Sequence, residues 1–388
     1  MTRKESAGWL AQLDGLRGVS ILMVLTAHVH APFWHTLQGG YGVTVFFVLS
    51  GFLITRLLLR EERDTGQISM AAFYIRRVFR LFPLYYLVLG VYCVLILLVG
   101  LHQDGRAGFL DALPWYLFYL QEIPPFRGHS SAITAVPFFQ SWSLGIEEKF
   151  YLVWPALAFR AMRKPIPRIA LAIGAVLVFS ASRFIDLGRL IYPYAVISWG
   201  CLFALLYETT DMRARLDGWV SAWRAPLVLL SWPLLHFTVA RTGLPAPVRV
   251  FADLAYPVAI ALVILASLQS SWLSRMFSWS PLVVLGRFSY CIYLIHLLVQ
   301  QAVERVLHRI GIPVGNGLLV YLLMLLSSVA GAGVLYYSIE KPFREIGRRI
   351  ANSWTKTHLV VEQKVRAPEE VVVGAGNRVA AGNITLLE

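Results

Sequence analysis

The chain has 388 residues, 57% of them hydrophobic and only 15% charged, with a formal net charge of +13. A mean hydropathy of +0.62 and repeated apolar runs, many near the roughly 20 residues a helix needs to cross a bilayer, exclude an ordinary soluble domain. The basic residues lie between those runs, which assigns the positive charge to the positive-inside effect and not to nucleic acid.

The expected fold is all-α, a polytopic integral membrane bundle of about ten transmembrane helices. Their spans are 15–35, 41–59, 81–101, 146–160, 168–183, 189–207, 225–240, 248–269, 282–303 and 317–339. Placing the N-terminus inside puts twenty Lys and Arg on the inner loops against eight on the outer ones, so both termini are expected in the cytoplasm. Residues 1–345 form the membrane domain, and 346–388 a flexible cytoplasmic tail without sustained periodicity. The opening MTRKESAGWL has no apolar core followed by a cleavage site, so the first apolar run is expected to stay as an anchor. Cys93, Cys201 and Cys291 lie singly in apolar runs and read as packing residues, with no disulfide framework or thiolate metal site.

The first run, LDGLRGVSILMVLTAHVH (13–30), carries Asp14, Arg17 and His28. Ionisable groups in a membrane helix mark function. Asp14 is placed to cap the helix start. Eleven residues separate Arg17 from His28, which puts them within about 20° on one face and about 16 Å apart along the axis. That geometry suits a long donor with a phosphate-rich head and a reactive tail, as in a coenzyme A thioester. The alternative is an arginine snorkelling to the inner leaflet and a hydrogen-bonded packing histidine.

The turn FYIRRVFRLFPLYYL (73–87) places Arg76, Arg77 and Arg80 on one broad helical face. Guanidinium forks match phosphate oxygens, whether of a donor or of lipid head groups. In SWSLGIEEKFYLVWP (141–155), Ser141 or Ser143 is placed to cap the helix, with Glu147 and Glu148 at the positive end of its dipole. Glu147, expected near the outer mouth, is also a candidate to bind acceptor hydroxyls or orient a base, Glu148 to bind substrate, and Trp142 to stack on a sugar ring or anchor at the interface. In GRFSYCIYLIH (286–296), Ser289, Tyr293 and His296 form one polar stripe, expected to face the bundle interior in a hydrogen-bond network. Arg287 begins that helix on the donor side, and Glu340 is placed to pair with an arginine. Ser50-Gly51 and SSVAGAG (327–333) read as close helix-packing sites.

Taken in order, LDGLRGVSILMVLTAH, YGVTVFFVLSGFLIT (41–55), FYIRRVFRLFPLYYL, SWSLGIEEKFYLVWP, LGRFSYCIYLIH (285–296) and YYSIEKPF (336–343) resemble the acyltransferase-3 family of membrane O-acyltransferases. The resemblance covers about residues 11–345. It implies that His28 is the catalytic histidine, that Arg17, Arg77 and Arg80 serve the acyl-donor side, and that Glu147 or Glu148 fills the acidic position after SWSL. Thr44 stands where relatives often carry an acidic residue, and no role is assigned to it. The function implied is transfer of an acyl group, acetyl by default, from acyl-CoA (acetyl-CoA) to a hydroxyl of a cell-surface carbohydrate or glycolipid, with no metal. Membrane lipids are the expected surroundings, the plasma (inner) membrane the expected location, and the oligomeric state is left open. A glycosylated small metabolite such as a macrolide is the alternative acceptor. A non-enzymatic transporter is the alternative of another class, but the inverted repeats it predicts are not seen.

Overall fold

The computed structural model describes residues 10–101, 105–123, 137–184, 188–219, 224–240, 245–313, 315 and 317–366. Among these residues every regular element is helical. Residues 124–136, which include PPFRGHSSAIT of a long polar and aromatic connection, and the last part of the tail, 367–388, lie outside the described residues.

Helix α1 (Ala11–Thr26) begins after the extended Leu10, so Leu10 and not Asp14 is the N-cap residue. The expected Asp14 cap is thus corrected: Asp14 stands one turn inside the helix. At the other end the Thr26 hydroxyl bonds back to Met23 O at 2.7 Å. The next two amides tighten to i−3 carbonyls, Ala27 N to Val24 O and His28 N to Leu25 O. The helix therefore stops before His28. After a single turn at Pro32–Thr36, the chain enters α2 (Gly42–Thr65). That helix closes at Gly66, whose φ of 75° and N–H to Glu62 O form a left-handed cap. Helix α3 (Met70–Cys93) starts at Ser69, whose hydroxyl accepts from Ala72 N at 3.3 Å. Next come α4 (Arg106–Leu117) and α5 (Trp142–Pro155), the latter prolonged by a wider turn over Ala156–Ala161. The chain continues through α6 (Pro165–Ala181), α7 (Gly188–Thr209), α8 (Met212–Trp219), α9 (Arg224–Ala240) and α10 (Ala246–Gln269). It ends with α11 (Ser271–Phe277), α12 (Ser280–Arg309), α13 (Gly317–Leu335) and α14 (Lys341–Arg366).

Seven helical stretches among the described residues are long and apolar enough to cross a membrane. The other three expected spans correspond to α1, α5 and α9, of 16, 14 and 17 residues. The stretches α1 and α9 are shorter than the roughly 20 residues a bilayer requires, whereas α5 with its extension to Ala161 has the length but not the apolar composition. In α1 the Thr26 turn ends the helix early, and in α5 the run Glu147-Glu148-Lys149 interrupts the apolar sequence. Residues 346–366, expected to open a flexible tail, are helical instead. Phe343, Ile346, Ile350 and Trp354 recur at three- and four-residue steps. Gly347 lies against the Phe79 side chain of α3, and Ala351 is fully buried.

Two apolar cores hold the bundle. One unites α2, α5, α7 and α10, the other α3, α4, α12 and α13. Helix α1 belongs to both: Leu13 and Leu16 enter the first, Ile21, Val24 and Leu25 the second. Its backbone approaches α12 so closely that a Cβ on Gly286 would overlap the Asp14 carbonyl, and one on Gly18 the Leu282 carbonyl. Gly51 of α2 and Gly200 of α7 interlock in the same way, against Ile197 and Val48. Gly51 is therefore a packing residue as expected.

Candidate active site

Two sets of arginines stand out. Arg56 and Arg63 bind Glu208 at 2.7 and 2.8 Å, Arg76 binds Glu61 at 2.8 Å, and Arg168 forks onto Glu62 at 2.6 and 2.7 Å. These pairs tie neighbouring helices together. Arg17, Arg77, Arg80 and Arg287 instead line a cavity of about 810 Å³, within the range of small-molecule sites. Lys341 and Arg344 from the start of α14 join them, giving six cationic side chains against three carboxylates, Asp14, Glu147 and Glu340.

Arg77 is held flat, its guanidinium carbon 3.7 Å from the Tyr151 ring centre and 5.9 Å from that of Phe73. Such stacking fixes the fork while leaving its edge donors available. Arg80 lies within electrostatic reach of Arg17, Arg77, Arg344 and Glu340, and its Nε is buried without a hydrogen-bond partner. Crowded cations with a buried, unsatisfied donor make a receptor for an anion. Arg344 also donates to the Tyr336 hydroxyl at 3.0 Å.

Glu147 faces the cavity and accepts from Ser50 Oγ at 3.1 Å. Ser50, expected to serve packing alone, is thus a wall residue that holds a carboxylate. Glu148 follows it on α5, and the cavity lining does not include it. Trp142 packs edge-on against Phe47 at 6.0 Å and is likewise absent from the lining. Ser141 is the N-cap residue of α5, as expected, but its side chain makes no capping bond, and Ser143 lies inside the helix. Ser141 Oγ donates to Phe138 O at 2.9 Å, and Ser143 Oγ shares a 2.7 Å bond with the Tyr293 hydroxyl. Tyr293 itself donates to Gln140 O at 2.6 Å, so Ser143 is the donor in that pair. Glu340 is fully buried and accepts from Cys291 Sγ at 3.1 Å.

The polar stripe of α12 does face inward. Ser289 and Tyr293 line the cavity, and His296 is fully buried behind Tyr293 with ring centres 5.7 Å apart. The His28 ring lies next, 4.9 Å from His296. His28 is not itself on the cavity wall. Because α1 ends at Thr26, the uninterrupted helical face expected to join Arg17 to His28 is broken, and the link runs through Tyr293 and His296 of α12. Gln300, one turn after His296, donates to the His28 carbonyl at 2.5 Å. His30 turns outward to Glu304 at 3.1 Å.

Sequence reasoning missed Lys341, Arg344 and Ser50 as lining residues. The first two carry a readable signal, since Arg344 follows Glu340 by four positions and Lys341 by three, at helical spacing. Ser50 carried none, being a small residue beside a packing glycine. Among the described residues no group of three His, Cys, Asp or Glu is placed to hold a metal ion.

A family model described as an acyltransferase domain matches residues 10–337. The chain belongs to that acyltransferase family. The chain is 29% identical over 328 residues to the peptidoglycan O-acetyltransferase OatA of Listeria monocytogenes, covering 76% of this chain and 50% of OatA. It is 29% identical over 379 residues to YrhL of Bacillus subtilis, provisionally named a peptidoglycan O-acetyltransferase, covering 92% and 58%. A provisionally named O-acetyltransferase of Staphylococcus aureus strain MRSA252 is 28% identical over 387 residues, covering 92% and 61%. The chain thus spans between half and 61% of the length of these relatives. No solved structure matches the chain.

Proposed function

We propose that this acyltransferase moves an acyl group, acetyl by default, from acyl-CoA to a hydroxyl of a cell-surface carbohydrate or glycolipid. The observation that carries the reading is the cavity itself: Arg17, Arg77, Arg80, Arg287, Lys341 and Arg344 converge on one space whose deep wall, Tyr293, stands one ring from the His28–His296 pair. The cations bind the phosphates of coenzyme A. The pantetheine arm runs inward between Phe46, Leu49 and Tyr293. Phe46 and Tyr293, 6.5 Å between ring centres, wall the cavity on the side of the His296–His28 pair.

The excess of Lys and Arg on the inner loops supports a cytoplasmic donor mouth and cytoplasmic termini in a plasma-membrane protein. His28 then acts in one of two ways. As general base it takes the acceptor hydroxyl proton while that oxygen attacks the thioester carbonyl, and the imidazolium returns the proton to the departing thiolate. As nucleophile its nitrogen first takes the acyl group as the C–S bond breaks, and the departing thiolate takes up the imidazole proton. The acceptor hydroxyl oxygen then attacks the acyl carbon, the C–N bond breaks, and the freed imidazole takes the hydroxyl proton. Glu147, held by Ser50, orients the reacting groups. The names of the O-acetyltransferase relatives support a carbohydrate acceptor.

The test is thiol release from acetyl-CoA by the purified protein in lipid nanodiscs, with and without peptidoglycan fragments. Fragment-dependent thiol release with ester formation supports the reading. Tight acetyl-CoA binding without any acyl loss overturns it in favour of a binding or transport role.

A further inference from the structure

We propose that His296 is the positioning residue for His28, presenting a fixed hydrogen-bond acceptor to the His28 ring. This rests on the role given to His28 above. His296 is fully buried, and its Nδ1 lies 2.7 Å from the Tyr293 carbonyl one turn earlier. A carbonyl only accepts, so Nδ1 carries the proton, and Nε2 of the neutral ring bears the lone pair. That Nε2 is buried and has no hydrogen-bond partner among the described residues. A buried acceptor left open in this way calls for an explanation. The neighbouring His28 ring supplies one, at 4.9 Å between centres and tilted by 53°.

Helix α12 grips His28 at two levels. Gln300 holds its carbonyl at 2.5 Å, and His296, one turn earlier, faces its ring. With the backbone pinned, only side-chain rotation remains for His28. A His28 N–H donated to His296 Nε2 selects one tautomer and leaves the opposite nitrogen as the free base. When His28 takes the acceptor proton, both its nitrogens become donors, and the bond to His296 persists through the charged state. The proton leaves by the free nitrogen to the thiolate, so His296 neither gains nor loses one. The logic is that of an orienting partner behind a catalytic imidazole, with a neutral ring in place of a carboxylate.

The test compares His296→Phe, which keeps a flat ring without the acceptor, with His296→Gln, whose amide oxygen falls near the Nε2 position. In the thiol-release assay, His296→Phe is expected to lower kcat about tenfold or more with the KM for acetyl-CoA unchanged, and to move the acid limb of the pH–rate profile to lower pH. His296→Gln is expected to restore part of kcat. Ring 15N spectra of the intact protein, independent of turnover, are expected to show His296 protonated at Nδ1 and the His28 resonances shifted by His296→Phe. Wild-type kcat and pH profile in a folded His296→Phe protein would overturn the assignment. So would His28 resonances indifferent to that change. Absence of turnover in the wild type, with the spectral coupling present, strikes at the proposed function and not at this pairing.

Discussion

Ser50 of α2 donates to Glu147 of α5 at 3.1 Å, joining two helices across the wall of the cationic cavity. A hydrogen bond to a charged group contributes about 1.5–3 kcal/mol. Ser50→Ala removes it and leaves the neighbouring Gly51 contact with Ile197 intact. A fall in kcat/KM of about tenfold is expected, and a larger one for Glu147→Gln, which keeps the shape and loses the charge. Steady-state thiol release measures both, and equal rates for Ser50→Ala and wild type would separate this bond from catalysis.

The two sets of arginines predict opposite behaviour. Arg77→Gln and Arg80→Gln each are expected to weaken acetyl-CoA binding about tenfold, since a charge-assisted phosphate contact is lost. Arg56→Gln, which loses a partner of Glu208 outside the cavity, is expected to leave donor affinity unchanged. Calorimetric titration of the protein in nanodiscs checks this. A uniform response of all three would reduce the basic residues to a general electrostatic attraction.

The close approach of α1 to α12 is a stability requirement. Gly286→Val puts a branched side chain where the Asp14 carbonyl now sits, and overpacking of this kind costs about 1–3 kcal/mol. A lower unfolding midpoint in detergent is expected, together with weaker donor binding, because Asp14 and Arg17 ride on the displaced helix. Gly90, with open space where a Cβ would stand, is the control: Gly90→Ala should leave the midpoint where it is or raise it.

His28→Ala removes the imidazole beside His296. Acyl transfer is expected to fall by about 100-fold or more, the scale of lost acid–base catalysis, while acetyl-CoA still binds through the cavity arginines. Retention of wild-type ester yield, read by mass spectrometry of the acceptor, would take His28 out of the mechanism.

Hydropathy and charge patterning by themselves determined the repeated membrane-length runs and the helical character seen throughout the described residues, and marked Arg17, Arg77, Arg80, Arg287 and Glu147, all of which line one cavity. These features are local: apolar run length, helical spacing and side-chain type act within a few turns and are readable from the residues alone. Only the tertiary structure decided which arginines pair with glutamates and which stay in the cavity, since Glu208 lies 152 residues from Arg56 and Glu62 lies 106 from Arg168. It also decided where α1 stops. A hydroxyl bond at Thr26 and the packing of Gly39 against that turn end the helix two residues before His28. The imidazole consequently meets α12, not the far end of its own helix, because helix termini answer to long-range contacts that no single segment contains.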